Sequence, residues 1–238
     1  MNKYDAQIDY KNNDCFGKLD LIIAFDTTGS MSEYIETVRD GVATLIPELF
    51  RDNEDLKLGI VAFGDYCDMN GPEDFGNAYQ CYKLSSNKGR LIQFVRQTKD
   101  TNGGDAPEFY ELVIRKIVNE THWREGASRS VLLIGDSVPH SDGVINWWIE
   151  ARKAAMQKVR FDTVEIEPQK WMKELSAITG GRSIPFSSSS HTLALIKASV
   201  LSRGSSVARA KFDAMLATAT DDETIEILRA YQKDRVAK

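Results

Sequence analysis

Two stretches of this chain are near-continuously apolar and each runs directly into an aspartate: KLDLIIAF before Asp26 and SRSVLLIG before Asp136. Their length is that of a strand, and their lack of alternation predicts burial on both faces, as in a parallel sheet covered by helices. Between and after them, strand-length runs alternate with helical ones. Ile35, Val38, Val42, Leu45, Ile46 and Leu49 fall at helical spacing within Met31–Phe50, with Ser30 or Ser32 expected as the cap. LKLGIVAFGD at Leu56–Asp65 predicts a strand, and QCYKLS an edge strand. Helices are expected at Asn87–Thr98, Glu108–Glu120, Asp142–Val159 and Pro168–Gly181. RFDTVEIE reads as an alternating strand, and RSIPFS as a last short one whose Pro185 suits an edge. This order predicts an α/β fold: a doubly wound, mostly parallel, Rossmann-like sheet, with helices on both faces and one antiparallel edge strand.

The organisation expected is an N-terminal arm over 1–17, one domain over 18–203 and a helical extension over 204–238. The extension reads as two amphipathic helices split at TDDE, either a cap on the domain or a docking element. At 238 residues, 42% hydrophobic and 27% charged, the chain can bury a single large core. A net charge of −5 argues against a sequence-independent grip on nucleic acid. No apolar stretch reaches the ~20 residues of a membrane span, and the first twenty residues lack the core of a signal peptide, so a cytoplasmic location is expected. Three cysteines without a CxxC pattern leave reduced thiols as the expectation, with Cys67–Cys81 pairing as the alternative.

The chemistry concentrates where the apolar strands stop. DTTGS follows the first, placing Thr28 and Ser30 beside Asp26; a third acidic loop, TNGGDAPE, carries Asp105. In a doubly wound sheet, ligands sit beyond the carboxyl ends of the strands where strand order reverses. Three carboxylates gathered there must separate, hold protons or share a cation. An all-oxygen set with neutral hydroxyls suits octahedral Mg²⁺, with Mn²⁺ a substitute.

DTTGSM resembles the metal-ion-dependent adhesion motif, Asp-x-Ser/Thr-x-Ser, of von Willebrand factor type A domains. GIVAFGD resembles that family's second strand, and GGDAPE the second metal loop of one of its branches. VLLIGDSVPH resembles its fourth strand with the trailing Pro-His, and LSAITGGRSIPFS its penultimate helix and last strand. The resemblance covers roughly Lys18 to Arg203. It implies a stand-alone, bacterial-type intracellular member with a metal site formed by Asp26, Thr28 and Ser30, Asp136 from the third loop, and Asp105 from the middle loop, with Thr101 as runner-up. It further implies a non-catalytic module: the metal keeps one position open for an oxygen, typically a carboxylate, of a protein partner. The resemblance also implies an ATPase, kinase or phosphatase encoded nearby as a partner, since stand-alone bacterial members often work with one.

Blander readings stand beside these. The Asp26–Ser30 cluster could be a helix cap, and His140 a loop brace rather than a ligand or base. His122 and His191 read as surface or capping residues. Of Trp147 and Trp148, one is expected in the core and the other on the rim of the site. A Mg²⁺-dependent phosphohydrolase or nucleotide binder is the enzymatic alternative. Its phosphatase form needs a second aspartate where Thr28 stands, and neither a GxxxxGK nor a GxSxG motif is present. A further alternative is a complex subunit that docks through its C-terminal helices.

Overall fold

The computed structural model describes residues 17–104, 106–141, 143–186 and 189–236. In chain order, β1 (Lys18–Asp26) leads through a 3₁₀ turn to α1 (Ile35–Asp52), followed by β2 (Asp55–Phe63), β3 (Tyr79–Ser85) and α2 (Lys88–Gln97). Next come the two-residue strand β4 (Pro107–Glu108), α3 (Tyr110–Glu120), β5 (Ser128–Gly135), the equally short β6 (Val138–Pro139), and α4 (Trp147–Met156). β7 (Val159–Glu165), α5 (Lys170–Thr179), β8 (Ser183–Pro185) and α6 (Ser189–Leu201) complete the alternating unit, and α7 (Ser206–Thr218) and α8 (Asp222–Val236) follow.

The main sheet runs β3-β2-β1-β5-β7-β8, parallel except for the antiparallel β2–β3 pair at one edge. β1 is therefore central: β2 lies on one side of it and β5 on the other, both parallel to it. Strand order reverses there, which creates the crevice that a doubly wound sheet uses for ligands. Leu21, Ile23 and Phe25 pack into the core on one face, with α1 and α2, and Ile22 and Ala24 into the core on the other, with α3, α4 and α5. An uninterrupted apolar strand is what two such layers require.

Three local expectations are corrected. No serine caps α1: Tyr34 occupies the cap position, and neither it nor Thr28 at the 3₁₀ turn makes a side-chain capping bond. The helix expected from Asp142 begins at Trp147, because Asn146 Oδ1 accepts the amides of Trp148 and Ile149 and fixes the start there. β7 does not alternate between core and solvent. Its polar residues Asp162, Thr163 and Glu165 are all buried, because β5 and β8 flank it and each polar group finds a partner.

Beyond the sheet, α7 and α8 pack on α6 around a small core of Leu201, Phe212, Leu228 and Tyr231. Arg203 reaches back to Asp162 at 2.5 Å and to the Ser130 hydroxyl at 2.8 Å, joining this helical layer to the sheet. Cys67 and Cys81 are free thiols. No helix among the described residues is long and apolar enough to cross a membrane.

Candidate functional site

Asp26 ends β1 with none of its surface exposed. Its Oδ1 accepts from the Thr28 amide at 2.8 Å and the Thr28 hydroxyl at 2.7 Å, and its Oδ2 accepts from the Tyr110 hydroxyl at 2.5 Å. Tyr110 reaches it because residue 135 is glycine; a Cβ there would collide with the phenol oxygen. Burial pushes the Asp26 carboxyl up to about 7, with Asp136 adding repulsion, while the bonds from Tyr110 and Thr28 oppose the rise.

The hydroxyls of Thr28 and Ser30 lie 3.3 Å apart. Since Ser30 caps nothing, its oxygen is left facing Asp136, whose carboxyl is raised by burial and held down in part by the Ser30 hydroxyl. Asp136 Oδ1 is buried and has no hydrogen-bond donor among the described residues. The backbone that carries it is fixed: Gln169 Nε2 donates to the Asp136 carbonyl at 2.7 Å, and Trp171 Nε1 to the Ser137 carbonyl at 2.9 Å.

Of the middle loop, Asp105 lies outside the described residues. Thr101, its runner-up, braces the first loop instead: its hydroxyl meets that of Thr27 at 3.0 Å, and its amide donates to the Thr27 carbonyl at 3.0 Å. The residue that sequence reasoning missed is Glu108. It is 3% exposed, and Oε2 has no donor among the described residues. Burial, together with Asp26, Asp65 and Asp68, pushes its carboxyl up to about 9, offset in part by the Thr28 hydroxyl. The available signal was the short spacing from GGD to Glu108, just ahead of an apolar helix. What places Glu108 is the pairing of β4 with β6, in which Glu108 stands opposite Pro139 and Pro107 opposite Val138. That pair ties the middle loop to the loop after Asp136.

Loop two is also tied to loop one. Gly29 N donates to the Asn102 carbonyl at 3.0 Å, while Asp68 accepts from the amides of Asn102 and Gly103 at 2.9 and 3.1 Å. Gly103 sits at φ +61°, and a Cβ there would meet Glu108 Oε1 at 2.6 Å and Thr28 Cβ at 3.3 Å. Gly103→Ala is therefore expected to destabilise by about 1–2 kcal/mol from the left-handed backbone alone. It should also displace the Glu108 carboxyl, which a urea melt combined with a Mg²⁺ titration would detect.

His140 is a brace: its Nε2 lies 2.7 Å from Asp65 Oδ1, and its amide donates to Glu111 Oε2 at 3.1 Å. Trp147 packs against the core and the Trp171 ring, while Trp148 is 45% exposed. An apolar cleft of about 420 Å³ lined by Tyr66, Met69, Pro72 and Phe75 lies on the β2–β3 connection and includes none of the candidate ligands.

These groups have the chemistry of a hard-cation site. The hydroxyls of Thr28 and Ser30 link the carboxyls of Asp26 and Asp136 at the switch point, all of them oxygen donors, and burial makes charge without a counter-ion costly; no group of three or more histidine, cysteine or acidic side chains among the described residues is arranged to hold a metal. A sheet of this order, with helices on both faces, defines a domain class. The von Willebrand factor type A domain family matches residues 20–198, so the chain belongs to that family, whose members generally mediate protein–protein interaction. It is also similar to the alpha-protein kinase vwkA of Dictyostelium discoideum, at 25% identity over 126 residues. That match covers 51% of this chain but only 19% of the kinase, so the chain spans about a fifth of the relative's length.

Proposed function

We propose that this domain binds a protein partner through a divalent cation, Mg²⁺ with Mn²⁺ as substitute, and that it is not an enzyme. Thr28, Ser30 and Asp136 would contact the ion directly, and Asp26, whose two oxygens already hold Thr28 and Tyr110, would act through water. Asp105 belongs to the proposal by its place in the sequence, and Glu108 by its burial beside Thr28 and Asp26. The observation that carries the reading is Asp136 Oδ1, buried without a donor next to a second buried carboxyl. A cation supplies what both lack. A coordination position left open to the partner's oxygen would make recognition metal-dependent.

Thr28, standing where the phosphatase pattern needs a second aspartate, supports binding over phosphoryl transfer. The likeness to a protein named as a kinase supports kinases among the partner classes, beside ATPases and phosphatases. The free thiols Cys67 and Cys81 support a reducing, cytoplasmic setting.

Affinity purification with and without EDTA tests the reading. Proteins retained in Mg²⁺ should be lost on chelation and with Asp26→Ala; an unchanged set would sink metal dependence. Turnover of a generic phosphate ester with Mg²⁺, abolished by Asp26→Asn, would overturn the non-enzymatic assignment.

A further inference from the structure

Buried carboxylates away from the candidate site are matched to cations. Arg124 lies 2.7 Å from Asp20, Lys211 2.5 Å from Asp52 and Arg203 2.5 Å from Asp162. At the carboxyl edge of the sheet this pattern stops. The described residues of the loops at 26–34, 64–78, 98–108, 136–146 and 166–170 hold ten carboxylates against two cationic side chains, Lys99 and Lys170. The residues outside these loops hold the other 28 of the chain's 30 basic side chains and 23 of its 35 acidic ones. The molecule is thus polar in charge: one acidic edge on a body that is slightly basic. Arg39 of α1 reaches this edge at Asp100, 2.5 Å away, and at the Thr98 hydroxyl, 3.1 Å away.

This concentration is more than a solvated rim. Glu108, 3% exposed, lies among Asp26, Asp65 and Asp68 with Oε2 lacking any donor among the described residues. One divalent ion at the site leaves most of the edge's negative charge in place. A field of one sign over adjoining loops steers association and rejects partners of like charge.

We propose that this edge docks a Lys/Arg-rich segment of a protein partner and disfavours an acidic one. The proposal rests on the reading of this edge as the binding face, and it sharpens the partner's chemistry. The oxygen presented to the site would come from a neutral group, such as an amide or a backbone carbonyl, flanked by basic side chains. Exposed apolar side chains on the loops beside the edge, Tyr66, Val138 and Val144, would add contact area without altering the charge preference.

The test uses fluorescence anisotropy with two labelled peptides of about fifteen residues, one of Lys, Arg and Asn and one of Glu, Asp and Asn, in Mg²⁺. The basic peptide should bind, and its affinity should fall about tenfold between about 50 and about 250 mM salt, as screening of exposed charges requires. The triple variant Glu33→Gln, Glu73→Gln, Glu167→Gln changes three exposed side chains on three loops, so folding should be retained, with an unchanged melting curve as the check. It should weaken the basic peptide about tenfold. Tighter binding of the acidic peptide, no binding of either, or no effect of the triple variant would overturn the proposal. A Mg²⁺-induced rise in melting temperature without basic-peptide binding would sink this proposal and spare the metal reading. Basic-peptide binding that EDTA leaves intact would do the reverse.

Discussion

Magnesium is expected to raise the melting temperature by several degrees at pH 8 and by far less at pH 6. In the metal-free fold, burial lifts Asp26 from 3.8 to about 7 and Glu108 from 4.5 to about 9. The folded state therefore holds protons that the unfolded chain has released. Stability from these groups is complete below about pH 4 and is lost as pH rises through 7 and then 9. At about 1.4 kcal/mol per pH unit, Asp26 alone accounts for a loss on the order of 4 kcal/mol. A cation takes the place of the missing protons, and its binding releases those that remain, so its effect grows with pH. At about a hundredfold excess over its dissociation constant, it contributes about 2.7 kcal/mol, or roughly 5–10 °C for a chain of this size. Scanning calorimetry from pH 5 to 9, with and without Mg²⁺, measures this directly. A melting temperature that Mg²⁺ leaves unchanged at every pH would remove the cation from the proposal.

The second large effect lies away from the candidate site, in the middle of β7. Arg203→Ala should destabilise the fold by about 3–5 kcal/mol, because it leaves the buried Asp162 without its closest cation. Burial alone would raise the Asp162 carboxyl, but Arg203 and Arg160 outweigh it and hold the group below its usual range. Its contribution is therefore present above the unfolded carboxyl's pKa and is lost as pH falls through the lower, folded one. Urea unfolding at pH 7 should show the full deficit for Arg203→Ala, and Asp162→Asn combined with it should recover part. A deficit under about 1 kcal/mol would mean that water, rather than Arg203, compensates Asp162. Because Arg203 also anchors the layer of α7 and α8, the same variant should loosen those helices, with Tyr231 losing an arginine that faces its ring at 5.8 Å.

The parts of this architecture that one-dimensional pattern could reveal are those set by burial on both faces. Leu21–Phe25 and Val131–Ile134 announce central strands because only doubly covered strands omit polar residues, and their terminal aspartates follow from that position. Glu108 stayed hidden for the opposite reason. Its placement depends on β4 and β6, two residues each, too short to leave any periodicity, and on a contact across three loops. Ser30 has the residue type of a cap, yet the 3₁₀ turn that precedes α1 moves the helix start to Ile35, beyond its reach. The polar residues of β7 look solvent-facing in sequence because the arginine that neutralises Asp162 lies 41 positions away. Long-range partners, not local propensity, decide such cases.

The small β4–β6 pair has one more consequence. Pro107 and Pro139 each remove a backbone donor, so this two-stranded patch is a poor template for a further strand alongside it. A partner arriving at this rim gains little by extending the patch into a longer sheet through main-chain bonds that are blind to sequence. Recognition there falls to side chains, which makes the contact selective by composition and leaves the rim a poor seed for self-association.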